Sequence, residues 1–136
     1  MDNMLNTKDI LTKYKNIALV GASKDLKKTS TIVMKSLQKY GYKVYPVNPT
    51  VKGDEILGET VYGSLSEIDH PVDIIDVFRP SNEAVEIANE AIKIKAKVLW
   101  LQLNIKSYEA KKIAEANNII YIEDKCTKIE VEKYIN

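Results

Sequence analysis

A doubly wound three-layer α/β sandwich, built on a mainly parallel sheet of five or slightly more strands, is the fold class this sequence predicts. Three observations carry the prediction. Short apolar runs alternate with amphipathic segments along the chain. Strands separated by helices require crossover connections, which run right-handed and give a parallel sheet covered on both faces. The 136 residues show no internal repeat, low-complexity tract or linker, so they read as one domain with a single core layer system.

The elements follow in order. Residues 5–14, with Leu5, Ile10, Leu11 and Tyr14 at helical spacing, read as an amphipathic helix, and residues 1–15 as a helical extension leading into the sheet. Ile17 to Val20 is the first strand, followed by the small-residue turn Gly21-Ala22-Ser23. Ile32, Val33, Leu37 and Tyr40 mark a helix that Gly41 is placed to end. Val44 to Val47 is the second strand, expected to be short because Pro46 cannot donate to a ladder. A loop with Gly53 and Gly58 leads to Ser64-Leu65-Ser66-Glu67, which has the form of a capping box. Ile74 to Phe78 is the third strand, and Ser81 is expected to cap a helix that buries Val85, Ala88, Ala91 and Ile92. Val98 to Leu101 is the fourth strand, Ser107 caps the next helix through Ile113 and Ala114, and Ile119 to Ile122 is the fifth strand.

In an open parallel sheet, ligands bind beyond the carboxyl ends of the strands, where the strand order reverses. The residues at those ends are Gly21-Ala22-Ser23, Asn48-Pro49, Phe78-Arg79-Pro80-Ser81, Gln102-Leu103-Asn104 and Asp124-Lys125-Cys126. The first turn offers donors at the start of a helix: Ser23, the amides of residues 21–24, Lys27, Lys28, Thr29 and Ser30. Unpaired amides and the positive end of the helix dipole suit a phosphate, and the lysines add charge.

Several ligand and activity classes fit poorly. A dinucleotide fingerprint needs G-x-G-x-x-G, but Ser23 and Leu26 stand where its second and third glycines belong. It also needs an acidic residue after the second strand, where this chain has Asn48-Pro49. A P-loop is missing its second glycine and its spacing, so Lys28-Thr29 reads as a solvated helix start. The net charge of +1 gives no field to gather nucleic acid or an anionic membrane. No apolar stretch is long enough to span a bilayer, and the first residues do not read as a signal peptide. Cys126 alone makes no intramolecular disulfide, and His70 has no second histidine to share a metal. A cytoplasmic protein without bound metal is the expectation.

Arg79 is the single arginine against 19 lysines. It reads either as a surface ion pair with Glu83 or as a phosphate or adenine contact beside Phe78, the only phenylalanine. Trp100, inside a strand run, reads as core. Cys126, after the fifth strand, reads as a partly buried thiol or as a partner for the thiol of a ligand.

The runs Val20-Gly21-Ala22-Ser23, Val47-Asn48-Pro49, Ile56-Leu57-Gly58, Val77-Phe78-Arg79, Trp100-Leu101-Gln102-Leu103 and Cys126-Thr127-Lys128-Ile129-Glu130 resemble, in order and spacing, the small stand-alone CoA-binding proteins. These are single Rossmann-like domains similar to the CoA-binding N-terminal domain of succinyl-CoA synthetase alpha subunits. The resemblance implies coenzyme A, or an acyl-CoA, lying across the strand ends. Gly21, Ala22, Ser23, Lys28 and Ser30 would then meet the phosphates, and Asn48 and Lys52 the nucleotide side. Val77, Phe78 and Arg79 would flank the adenine and phosphate region, and Gln102 to Asn104 the pantetheine exit. The sequence departs from the family where Lys28-Thr29-Ser30 replaces Arg-Pro-Ser, Asn104 replaces Gly, and Thr127 replaces Pro. The function expected is a non-catalytic CoA-binding module, with a homodimer or protein partner open. The alternatives are a component of an acyl-CoA synthetase system and an NAD(P)-binding redox protein. The synthetases use a phosphohistidine from a further domain, and the reading expects no such domain here.

Overall fold

The structure is a computed structural model describing residues 6–135; Leu5, at the start of the expected first helix, lies outside them. Five parallel strands form one sheet: β1 (Asn16–Val20), β2 (Lys43–Val47), β5 (Ile74–Val77), β6 (Val98–Leu101) and β7 (Ile120–Ile122). Their spatial order is β2-β1-β5-β6-β7. A two-stranded antiparallel ribbon, β3 (Glu55–Ile56) and β4 (Glu59–Thr60), lies in the connection between β2 and β5.

Along each central strand the side chains alternate between two cores, as a period of two residues demands. Ile17, Leu19, Ile74, Val98 and Trp100 face one side, where they meet α1 (Thr7–Lys13), α2 (Thr29–Lys39) and α5 (Thr127–Tyr134). Ala18, Ile75, Val77, Leu99 and Leu101 face the other, under α3 (Ala84–Lys93) and α4 (Tyr108–Ala116). Because both faces are covered, β1, β5 and β6 are apolar almost without interruption. The exception is Asp76, fully buried on β5. The fold is the three-layer, Rossmann-like α/β arrangement expected.

The local differences have physical causes. β2 runs for five residues through Pro46. It is an edge strand, and the Pro46 carbonyl faces outward to accept from the Tyr62 amide at 2.9 Å. The proline nitrogen therefore also faces outward, where a missing donor costs no ladder bond. The Ser64–Glu67 capping box forms only in displaced form: residues Leu65–Glu67 are a single 3-10 turn, Ser64 makes no side-chain cap, and Glu67 accepts from the Gly63 amide instead.

Ser81 does not cap α3. Its hydroxyl accepts from the Lys106 amide, and a 3-10 turn over Ser81–Glu83 precedes the helix. That turn shifts the buried face of α3 to Ala84, Ile87, Ala88 and Ala91, leaving Val85 and Ile92 half-buried. The third strand ends at Val77, although the Phe78 amide still reaches the Val20 carbonyl. Ser107 caps α4 as expected, accepting from the Ala110 amide. α5, beyond the last strand, buries only Thr127 and Val131, too few positions to make a helical stripe visible in the sequence.

Candidate functional site

The strand order reverses between β1 and β5. β1 sends its chain outward to β2, β5 sends its chain the other way to β6, and the two following helices lie on opposite faces of the sheet. A crevice of about 700 Å³ opens at this point, above the ends of β1, β2 and β5. It is within the usual range for small-molecule sites, about 300–1,000 Å³.

One side is built by the turn after β1. Gly21 has φ +95°, and a Cβ placed there would approach the Phe78 carbonyl oxygen to 2.7 Å. Glycine therefore serves twice, in conformation and in letting the two strand ends touch. The Gly21 and Ala22 amides both donate to the Val47 carbonyl. Of the four amides expected to face a ligand, those two are thus consumed by the fold. The amides of Ser23 and Lys24 have no acceptor among the described residues. The chain then curls through Asp25, whose amide donates to Ser23 Oγ, while Thr31 Oγ1 donates to the Ser23 carbonyl. Lys28 is the N-cap of α2 but provides no side-chain cap, so the Thr29 and Ser30 amides also lack acceptors among the described residues. An uncapped helix start facing a crevice is suited to an anion.

Asn48 lines the crevice, and both of its side-chain polar atoms already hold a partner within the fold. Nδ2 donates to the Ala22 carbonyl at 2.8 Å, and Oδ1 accepts from both the amide and hydroxyl of Thr50. It braces the turn after β1 against the end of β2.

The opposite wall belongs to β5 and α3. Phe78 and Arg79 line it with Glu83, Glu86 and Glu90, and Ile87 between them. Arg79 Nε and Nη2 donate to the two Glu83 oxygens at 2.9 and 2.7 Å. The surface ion pair is therefore formed, and it is formed on the crevice wall. The guanidinium holds the Glu83 carboxyl below the usual carboxylate range, whereas burial, with the neighbouring Glu86 charge, raises that of Glu90.

Gly21, Ala22, Ser23, Lys28, Ser30, Asn48, Phe78 and Arg79 thus come together in one crevice. Four other candidates do not line it. Lys52 pairs with Glu67 at 3.1 Å, its stem crossing Gly63 at the rim. Val77 points fully into the core under α3. Gln102 is buried and donates Nε2 to both Asp76 and Thr127. Asn104 is exposed beyond β6, in the left-handed region at φ +69°, with its amide donating to Asp124. Glu86, Glu90, Ile87, Gly63, Ser64 and Leu65 line the crevice without having been singled out. The spacing of Glu83, Glu86 and Glu90 along one helical face was the available signal.

Cys126 is buried at the N-cap of α5, away from the crevice lining. His70 stacks on Tyr45 and sits 3.3 Å from Asp69. Among the described residues no group of acids, histidine and cysteine is placed to hold a metal, and no helix is long and apolar enough to cross a membrane.

A doubly wound sheet with an open crevice and free amides at its reversal point defines a Rossmann-like ligand-binding domain. Residues 15–132 match the CoA binding domain family, and the chain belongs to it. The uncharacterized protein YneT of Bacillus subtilis is 40% identical over 122 residues, 90% of this chain and 89% of that protein. An acetate–CoA ligase (ADP-forming) of Methanocaldococcus jannaschii is 31% identical over 123 residues. That match covers 85% of this chain but only 17% of the ligase. A hypothetical protein of Pyrococcus horikoshii superposes with a TM-score of 0.90 at 38% identity, covering all of both chains.

Proposed function

We propose that this protein binds coenzyme A or an acyl-CoA in the crevice at the reversal point, as a binding module that performs no chemistry of its own. The observation that carries the reading is the set of unpaired amides at Ser23, Lys24, Thr29 and Ser30, with Lys28 beside them, inside a chain of the CoA binding domain family. Those donors suit a diphosphate, whose oxygens need several hydrogen bonds and whose charge gains from a helix start. Phe78 offers the apolar edge for a base, and Asn48 keeps the phosphate turn in place. Asn104, beyond β6, marks the direction in which a pantetheine arm would leave. The crevice presents no histidine or cysteine, and its carboxylates face the ligand as acceptors rather than as part of a nucleophile–base pair.

The match to part of a much longer ligase favours a second reading, in which the module serves as one component of an acyl-CoA synthetase system. Calorimetric titration with CoA, dephospho-CoA and NAD tests the primary reading. Binding of CoA with at most weak binding of NAD is expected; preference for NAD refutes it. Acyl-CoA formation from CoA, acetate and ATP by the purified chain would replace the module reading with the synthetase one.

A further inference from the structure

We propose that Glu90 selects the base of the bound nucleotide, its carboxylate accepting a hydrogen bond from the exocyclic amine of adenine. The inference rests on the coenzyme A reading and adds the residue that reads the base. The crevice reaches both faces of the sheet. Its amide turn leads into α2 on one face. On the other, Val20, Val47, Leu65 and Ile87 all line the crevice and all belong to the apolar cluster under α3. They form a slot that runs from the strand ends down between α3 and the 3-10 turn Leu65–Glu67. A flat, weakly polar ring gains from burial between such side chains, whereas a phosphate or a ribose hydroxyl does not. With the diphosphate at the amides and the pantetheine arm leaving past Asn104, the base is the part of the ligand left for the slot.

Glu90 stands on the α3 side of this slot, about 9 Å along the helix from Ala84 at 1.5 Å per residue. The three carboxylates of the wall differ in how they are satisfied. Glu83 accepts from Arg79, and Glu86 is exposed to water. Glu90 is half-buried and has no hydrogen-bond or ion-pair partner among the described residues. Burial and the Glu86 charge raise its carboxyl, as expected of an acceptor short of donors. A partly desolvated carboxylate gains most from a ligand group that donates. Adenine carries such a group at the edge of its ring, the 6-amine with two N–H donors. A purine without that amine fills the slot equally well but leaves the Glu90 oxygens facing a C–H. The apolar side chains therefore hold the ring, and Glu90 decides which ring is held.

The test is calorimetry of CoA and of its analogue with unsubstituted purine in place of adenine, at one fixed ionic strength, on the parent and on Glu90→Met. Methionine keeps the length of the side chain and removes the carboxylate acceptor. Both ligands carry the same phosphates, so the ratio of their affinities cancels any change in the field of the crevice that the lost charge brings. The parent should prefer CoA by about tenfold, the scale of one hydrogen bond to a charged group. In Glu90→Met the preference should fall to within about twofold, because no strong acceptor is left to distinguish the rings. Equal affinity of the parent for the two ligands overturns the assignment, and that comparison needs no variant to fold. A Glu90→Met protein that binds CoA with the parent's preference intact overturns it as well, while leaving the coenzyme A reading standing. A parent that binds neither ligand overturns the coenzyme A reading, and this assignment with it.

Discussion

The carboxyl of Asp76 should give the protein a pH-dependent stability that an asparagine removes. Asp76 is the third residue of β5, wholly buried between Leu19 and Trp100 of the neighbouring strands. Burial pushes its carboxyl up from 3.8 to about 7, although hydrogen bonds from Gln102 and Thr127 pull the other way. In the unfolded chain the group ionises near its ordinary value, so between about pH 4 and 7 the native state holds one more proton. Stability must therefore fall as pH rises through that window and level off above it. Each pH unit contributes about 1.4 kcal/mol, or roughly 4 kcal/mol across the whole interval. At about 3 °C per kcal/mol for a domain of this size, the melting temperature should drop on the order of 10 °C from pH 4 to pH 7 through this group. Asp76→Asn keeps the shape, lets the side-chain oxygen accept from Gln102, and turns the second partner bond towards Thr127 Oγ1. Thermal and urea melts of both proteins between pH 4.5 and 8.5 isolate the effect, since other titrating groups cancel in the difference. The variant should be relatively less stable at low pH and gain on the parent up to about pH 7. A parent-minus-variant difference that is flat with pH would refute the reasoning.

Two further outcomes follow from the crevice. Gly21→Ala combines a left-handed backbone with a Cβ 2.7 Å from a backbone oxygen, so urea melts should show a loss of about 2–4 kcal/mol, and any folded variant should lose CoA binding. Lys28→Gln should weaken CoA binding about three- to tenfold at low salt and progressively less as salt rises, measured by calorimetry between 20 and 300 mM NaCl, roughly the range over which exposed charges become screened.

The architecture was legible in the sequence because it depends on burial pattern, and the strands here are covered on both faces. Apolar runs such as Ile74-Ile75 and Val98-Leu99-Trp100-Leu101 announce themselves whatever their exact partners. What escaped depends on partners distant in the chain. Ser81 looked like a cap by its position before an amphipathic run, but the Lys106 amide, 25 residues on, claims its hydroxyl. Pro46 looked like a stop, and only the edge position of β2 makes it harmless. Within the site, the phosphate turn was readable from Gly21-Ala22-Ser23 itself, although the loss of two amides to Val47 was not. Gln102 sits at a strand end like the true lining residues, yet it turns inward because a buried carboxylate and a threonine hydroxyl need its amide. The acidic wall was missed because Glu83, Glu86 and Glu90 read individually as solvated helix residues.

The two walls of the crevice have opposite character for a topological reason. α2 begins on one face of the sheet and presents an amino end, with its free amides, to the crevice. α3 packs on the other face and presents the flank of its first two turns, where Glu86 and Glu90 stand beside the buried Ile87, with Glu83 in the 3-10 turn just before it. The reversal of strand order between β1 and β5 brings these unlike surfaces to one gap, with Gly21 and Phe78 in contact at its floor. A ligand with anionic groups alone would be drawn to the amide side and repelled by the carboxylate side. A ligand joining phosphates to a base and sugar that donate hydrogen bonds matches both. The coenzyme A reading thus draws on the whole gap, whereas an inorganic phosphate or a simple dicarboxylate would satisfy only half of it.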